Sequence, residues 1–220
     1  MPGGVWAVLV AAGRGERLGD DRPKAFARLG ELPLLAEPLR RLEENEWIDS
    51  VVVVVPPDWE EPTILLAEQL GASKVIAAVM GGETRSASVR AGLAEVPEDA
   101  AVVLVHDAAR PILPAELVPR LLQPLREGFD GAVPVLPVTD TIKRVREGIV
   151  VETPLRDELV AVQTPQAFVA PVLRAAAAGE GSDCASLVEA AGGRVKAVPG
   201  DERLLKVTTR ADLDRIAAWL

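Results

Sequence analysis

Short runs dominated by apolar residues recur along the chain, each followed by a stretch of mixed polarity with helical spacing. Val5-Trp6-Ala7-Val8-Leu9-Val10, Val51 to Val55, Lys74 to Val79, Ala101 to Val105 and Gly131 to Leu136 read as strands. Strands covered on both faces have no polar side to alternate, so near-continuous Val/Leu/Ile runs mark burial. Between them, Leu35, Leu39 and Leu42 form one helical stripe. Pro62 to Leu70 reads as a helix stopped by Gly71, and a further helix starts with Thr84 or Ser86 as its cap. Pro114 to Arg126 supplies another. A helix in each crossover predicts an α/β fold: a Rossmann-like, three-layer, mostly parallel sheet wound right-handedly.

The alternation stops after Leu136. Val138 to Val145 and Ile149 to Thr153 are extended segments on either side of Glu147-Gly148, a turn signal. They predict a β-hairpin arm at about residues 137–160. Two strands alone are marginal in water, so the arm is expected to pair with another copy of the chain. Gln163-Thr164-Pro165-Gln166-Ala167-Phe168 then returns the chain to the body. Helices at Ala170–Ala178 and Cys184–Ala191 and a strand at Arg194–Val198 follow. Thr209 with Asp212 makes a capping-box start to the last helix.

Composition narrows the function. The 220 residues show no repeat, low-complexity tract or linker, which predicts one domain over 1–220 carrying the arm. With 49% of residues hydrophobic the chain is no disordered segment. A net charge of −9 argues against duplex nucleic acid as a partner, while a nucleotide needs only a local cationic cluster. No apolar run approaches the ~20 residues of a membrane span. The start, Met1-Pro2-Gly3-Gly4, lacks a basic n-region, so a cytoplasmic location is expected. The single Cys184 and single His106 leave no cysteine-ligated or histidine-rich metal site.

Three segments then carry the candidate chemistry. At the end of the first strand the chain becomes small and afterwards cationic: Ala11-Ala12-Gly13-Arg14-Gly15-Glu16-Arg17-Leu18, closing at Arg22-Pro23-Lys24. Small residues let backbone N–H groups approach a polyanion. Arg17 can grip phosphate bidentately, and Lys24 acts as a point charge behind the stiff Pro23. The segment has neither Walker spacing nor the dinucleotide fingerprint, whose third glycine position holds Leu18. Its bland alternative is a solvated surface loop. Gly81-Gly82-Glu83-Thr84-Arg85-Ser86-Ala87-Ser88 is the second segment, two glycines for a tight turn followed by a helix start. The third, His106-Asp107-Ala108-Ala109-Arg110-Pro111, lies at the carboxyl end of a strand, where ligands of parallel sheets bind. Asp107 there suits Mg²⁺ held against nucleotide phosphates. The competing reading makes Asp107 a helix cap salt-bridged to Arg110, and His106 reads as structural rather than catalytic.

Taken together, these segments with Gln163-Thr164-Pro165-Gln166, Asp140-Thr141-x-Lys143-Arg144 and Lys206-Val207-Thr208 closely resemble the 2-C-methyl-D-erythritol 4-phosphate cytidylyltransferases of the non-mevalonate isoprenoid pathway. The likeness covers nearly the whole chain in order. It implies a nucleotidyltransferase fold, CTP and methylerythritol phosphate as substrates, and a CDP-linked alcohol and pyrophosphate as products. By motif match Arg17 and Lys24 are catalytic, stabilising charge at the α-phosphorus. Ala11, Ala12, Gly13, Gly82, Ser88 and Ala108 hold the nucleotide, and Asp107 ligates Mg²⁺. Arg110, Thr141, Arg156 and Lys206 bind the methylerythritol phosphate, Arg156 acting across the interface of a homodimer formed through the arm. Two departures stand out: Ser182-Asp183 where the family often has Thr-Asp, and Glu83 where aspartate is common. The rival readings are a ribitol 5-phosphate cytidylyltransferase, disfavoured by Ala109 where those relatives tend to carry valine, and a non-catalytic nucleotide-binding relative.

Overall fold

β-branched residues on both faces put the sheet at the centre of the molecule. The computed structural model describes residues 3–13, 22–179 and 181–220. Its elements in order are β1 (Val5–Val10), β2 (Arg28–Leu29), β3 (Leu32–Pro33), α1 (Ala36–Glu44), β4 (Ser50–Val55), α2 (Glu60–Leu70), β5 (Val75–Met80) and α3 (Arg85–Ala94). There follow β6 (Val102–Asp107), α4 (Leu117–Arg126), β7 (Gly131–Pro137), β8 (Arg144–Arg146), β9 (Ile149–Glu152), β10 (Val160–Val162) and β11 (Gln166–Val169). The chain ends with α5 (Ala170–Ala176), α6 (Cys184–Ala190), β12 (Val195–Pro199) and α7 (Arg210–Ala217).

Among the described residues, the main sheet runs β10-β7-β11-β6-β1-β4-β5, with β12 beside β7. Strand β1 is parallel to β4 and β6, and β4 is parallel to β5. β11 lies antiparallel between β6 and β7, which makes those two parallel to each other. The fold is therefore a mostly parallel α/β sheet, as the alternating runs predict. Its surprise is the return segment: residues 160–169 are not a mere connection but supply two antiparallel strands, broken at the Thr164–Pro165 bend. A three-residue exposed strand such as β10 carries no periodic signal of its own; its pairing with Val135–Pro137 decides it.

Side chains alternate between two cores. Ala7, Leu9, Val51, Val53, Val55, Val102 and Leu104 face a layer containing α1 and α4. Val8, Val52, Val54, Val103 and Val105 face α3, α5 and α6. Gly92 lets α3 settle on the sheet, because a Cβ there would sit 2.5 Å from Val8 Cγ1 and 2.8 Å from Val54 Cγ2. A smaller cluster of Leu34, Ile112, Val207, Leu213 and Ile216 seats α7. That helix starts with a reciprocal cap between Thr209 and Asp212, and α2 ends on Gly71 with φ of 67°. The arm hairpin turns at Glu147 and Gly148, with φ of 50° and 79°. It is shorter than the extended segments suggest, pairing only 144–146 with 149–152. No helix among the described residues is long and apolar enough to cross a membrane.

Candidate active site

Four parallel strands deliver their carboxyl ends to one cavity of about 640 Å³, in the range of small-molecule sites. Val10 closes β1, Pro56 and Pro57 follow β4, Gly81 follows β5, and Asp107 closes β6; all five line it. Ala11, Ala12, Gly13, Lys24, Gly82, Ser88, Ala108 and Lys206 line it too. Nine of the expected site residues are thus brought together, Asp107 included, although 99 residues separate Asp107 from Lys206. Arg17 and Arg14 lie outside the described residues. Thr141 and Arg156 do not reach the cavity within this chain. Both are exposed on the arm, where Arg156 Nη1 donates to the Thr139 carbonyl at 3.0 Å. Arg110 stands just beyond the lining; its Nη1 donates to the Leu204 carbonyl, and its buried Nε has no partner among the described residues.

Backbone bonds fix the cavity's wall. Ala11 N donates to Val54 O at 2.7 Å, Gly81 N to Val55 O at 2.8 Å, and Ala108 N to Val10 O at 2.9 Å. The loop residues thereby extend the sheet's own pairing beyond the strand ends. Neither Gly81 nor Gly82 has a positive φ, so left-handed backbone freedom is not what requires glycine here. Gly81 is needed for space instead, since a Cβ there would collide with the Ala12 methyl and lie 2.8 Å from Ser88 Oγ. Thr84, not Ser86, caps α3, accepting from Ala87 N at 3.0 Å. Ser88 Oγ donates back along the helix to Thr84 O at 3.0 Å, leaving its lone pairs for a donor in the cavity. Lys24 opens a single 3₁₀ turn whose Phe26 is buried and packs on Trp59, ring centroids 4.0 Å apart.

The electrostatic centre is Asp107. Its Oδ1 accepts from Arg85 Nε at 3.1 Å and Nη2 at 3.0 Å, and its Oδ2 accepts from Lys206 Nζ at 2.7 Å. Burial alone would raise this carboxyl, but Arg85 and Lys206 outweigh it and hold it near a pKa of about 2. No helix begins at Asp107, so the cap reading fails, and its partners are Arg85 and Lys206 rather than Arg110. Arg85 belongs to the second segment, Gly81-Gly82-x-x-Arg85-x-x-Ser88, but neither spacing nor the family likeness gives it a role. It spends its third nitrogen, Nη1, on Cys184 Sγ at 3.7 Å, and burial pushes that thiol up to about 11. Asp183 caps α6 and accepts from Gln166 Nε2 at 2.7 Å, a structural use for the Ser182-Asp183 pair.

A metal fits this donor set in one form only. Among the described residues no three carboxylate, histidine or cysteine side chains converge, which excludes from those residues a cage built wholly of such groups. Mg²⁺ commonly takes one or two carboxylates and fills its remaining positions with water and substrate phosphate. Asp107 is ionised, but Arg85 holds its Oδ1 and Lys206 its Oδ2, so a metal could join this carboxylate only together with a polyphosphate that draws Lys206 away.

A model of the family described as IspD, 2-C-methyl-D-erythritol 4-phosphate cytidylyltransferase, matches residues 5–220. The chain belongs to that family. It is 48% identical over 215 residues to the 2-C-methyl-D-erythritol 4-phosphate cytidylyltransferase of Rhodococcus jostii, covering 96% of this chain and 92% of the relative. Among solved structures it superposes on the cytidylyltransferase of Thermus thermophilus with a TM-score of 0.78, at 35% identity and 96% coverage of both chains. The 4-diphosphocytidyl-2C-methyl-D-erythritol synthase of Anaerococcus prevotii gives a TM-score of 0.85 at 27% identity, covering 98% of this chain and 97% of that one. Membership in the IspD family makes the chain a nucleotidyltransferase, and its fold is that of the IspD cytidylyltransferases.

Proposed function

We propose that the cavity binds CTP and that the enzyme transfers its cytidylyl group to 2-C-methyl-D-erythritol 4-phosphate. A phosphate oxygen of the sugar alcohol bonds to the α-phosphorus, the α–β anhydride bond breaks, and pyrophosphate leaves with the electron pair. The observation that carries this reading is the gathering of Lys24, Arg85 and Lys206 with one ionised carboxylate in a single cavity at the sheet's carboxyl edge. Phosphoryl chemistry asks the protein mainly for positioning and charge, and these groups supply both. Ala11, Ala12, Gly13, Gly82, Ser88 and Ala108 form the nucleotide's walls. Lys24 acts on the α-phosphate, and the family likeness gives the same role to Arg17, which lies outside the described residues. Such charge, fixed where charge builds, is worth roughly 3–4 kcal/mol of barrier per donor. Asp107 would hold the magnesium, which when bound would screen the charge of the triphosphate.

Lys206 and Arg110 face the second substrate, and the unpartnered Arg110 Nε supports an anionic guest, because an unmet buried donor costs about 1–3 kcal/mol. Thr141 and Arg156 act from the arm. Val145, Ile149, Val150, Val151 and Leu155 are all at least half exposed there, an apolar face that suits a second copy, so the working unit is a homodimer in which Arg156 serves the partner's site. The enzyme works in the cytoplasm as one domain with this arm. Pyrophosphate release from CTP, measured with methylerythritol phosphate, with ribitol 5-phosphate and with neither, tests the reading. Release only with methylerythritol phosphate is expected; equal or greater release with ribitol 5-phosphate overturns the assignment of substrate.

A further inference from the structure

His106 is fully buried and does not line the cavity, yet it touches both halves of the site. Its Nε2 lies 3.0 Å from the carbonyl oxygen of Arg110, and its Nδ1 lies 3.1 Å from Thr164 Oγ1. The same Thr164 oxygen accepts the backbone N–H of Asp107 at 3.0 Å. A carbonyl can only accept, so the ring proton is on Nε2, and Nδ1 accepts from the Thr164 hydroxyl. The chain of donors is then complete: Asp107 N–H to Thr164, Thr164 O–H to His106, His106 Nε2–H to Arg110.

We propose that His106 is a positioning residue whose rigid ring straps the Asp107–Arg110 turn at both ends, fixing the distance between the nucleotide side and the sugar-alcohol side of the site. The proposal rests on the cytidylyltransferase reading for what those two sides bind. A ring suits the task because its two nitrogens have no torsion between them, so a shift at Thr164 is passed to the Arg110 carbonyl. Arg110 N also donates to Asp107 O at 2.9 Å within the same turn, and the strap closes that turn from outside. In-line transfer needs its two reactants held within a fraction of an ångström, and a misplacement of about 1 Å can cost on the order of 100-fold in rate.

His106 is the chain's one histidine, so a protein labelled with ¹⁵N-histidine reports it alone. Long-range ¹H–¹⁵N correlation on the wild-type protein is expected to show the Nε2–H tautomer, with Nδ1 as a bare acceptor, with and without CTP. The Nδ1–H tautomer overturns the proposal without any variant. His106→Asn keeps the short reach to Thr164 and loses Arg110; it is expected to lower turnover and raise the KM for methylerythritol phosphate, together roughly 10–100-fold in kcat/KM, while the CTP KM stays within about threefold. Thr164→Val keeps shape and removes the shared hydroxyl, and is expected to raise the CTP KM instead. A merely architectural histidine would lower Tm and the active fraction without splitting the two KM values, and that outcome overturns the strap. Wild-type turnover, measured first, separates the two readings. An inactive parent removes the cytidylyltransferase assignment and the strap's role with it, whereas an active parent with variants of unmoved KM removes the strap alone.

Discussion

Arg85 and Lys206 hold the same carboxylate but are expected to differ in what their removal costs. Arg85 meets Asp107 Oδ1 through two nitrogens, and its side chain is 26% exposed against 10% for Asp107. Lys206 makes one contact, at 2.7 Å, from a side chain that is 43% exposed. At about 3 Å and an effective dielectric of ~20 either pair has a gross Coulomb energy of roughly 5 kcal/mol. Desolvation cancels most of it, leaving about 1.5–3 kcal/mol for a hydrogen bond to a charged group that water reaches poorly. For a half-exposed pair the remainder falls to about 0–1 kcal/mol. Arg85 also packs its third nitrogen against Cys184.

Arg85→Gln is therefore expected to lower unfolding free energy by about 2–3 kcal/mol, Asp107 being rescued from full isolation by Lys206. Lys206→Met is expected to cost at most about 1 kcal/mol. The proposed function reverses the order: with Lys206 as the cation that the substrate phosphate recruits, its loss is expected to raise KM for methylerythritol phosphate at least tenfold. Urea unfolding midpoints with unchanged slopes give the stability difference, and steady-state kinetics give the other. Lys206→Met proving as destabilising as Arg85→Gln would refute the reasoning, because exposure would then have failed to rank the two pairs.

Lys24→Ala is expected to keep CTP affinity within about tenfold by calorimetry and to lose most turnover; near-parental turnover removes Lys24 from the reaction. Gly81→Ala puts a methyl against Ala12 and Ser88, so CTP affinity should drop at least tenfold while α3 keeps its cap; unchanged affinity would show that the cavity wall yields. In Asp212, burial works against ionisation, but Oδ2 accepts from Thr208 N, Thr208 Oγ1 and Thr209 N, each at 2.8 Å, which pulls its pKa down to about 2. A lowered folded pKa gives stability that is present above the unfolded value near 4 and lost as pH falls toward 2. The stability gap between parent and Asp212→Asn should accordingly close over that window, and a gap constant down to about pH 2.5 contradicts the assignment. Ile149→Glu with Leu155→Glu on the arm is expected to yield monomers in sedimentation at concentrations where the parent is a dimer; a parent that is itself monomeric sinks the arm's proposed role.

What was legible in the sequence is what local geometry sets. Val51–Val55 announces a strand buried on both faces, and all five residues are at most 1% exposed. Gly71, the Glu147-Gly148 turn and the Thr209–Asp212 cap each concern residues at most a few positions apart. Contacts made across the sheet's carboxyl edge have no such signature. Arg85 finds Asp107 over 22 residues, Thr164 reaches it over 57, and Lys206 over 99. No periodicity encodes those separations, so Arg85 read as one residue of a helix start and Thr164 as part of a returning connection. Both follow once the strand order is known, because β6 ends in the cavity and β11 runs antiparallel beside it, delivering the Thr164–Pro165 bend to the level of Asp107. The rule that ligands gather at the carboxyl ends of parallel strands thus places the candidate site from sequence, while the partners inside it are fixed by strands that pairing, not composition, creates. That is also why His106 reads only as structural from its sequence position: its two contacts are the Arg110 carbonyl in the next turn and the Thr164 hydroxyl at the bend between β10 and β11, 58 residues away.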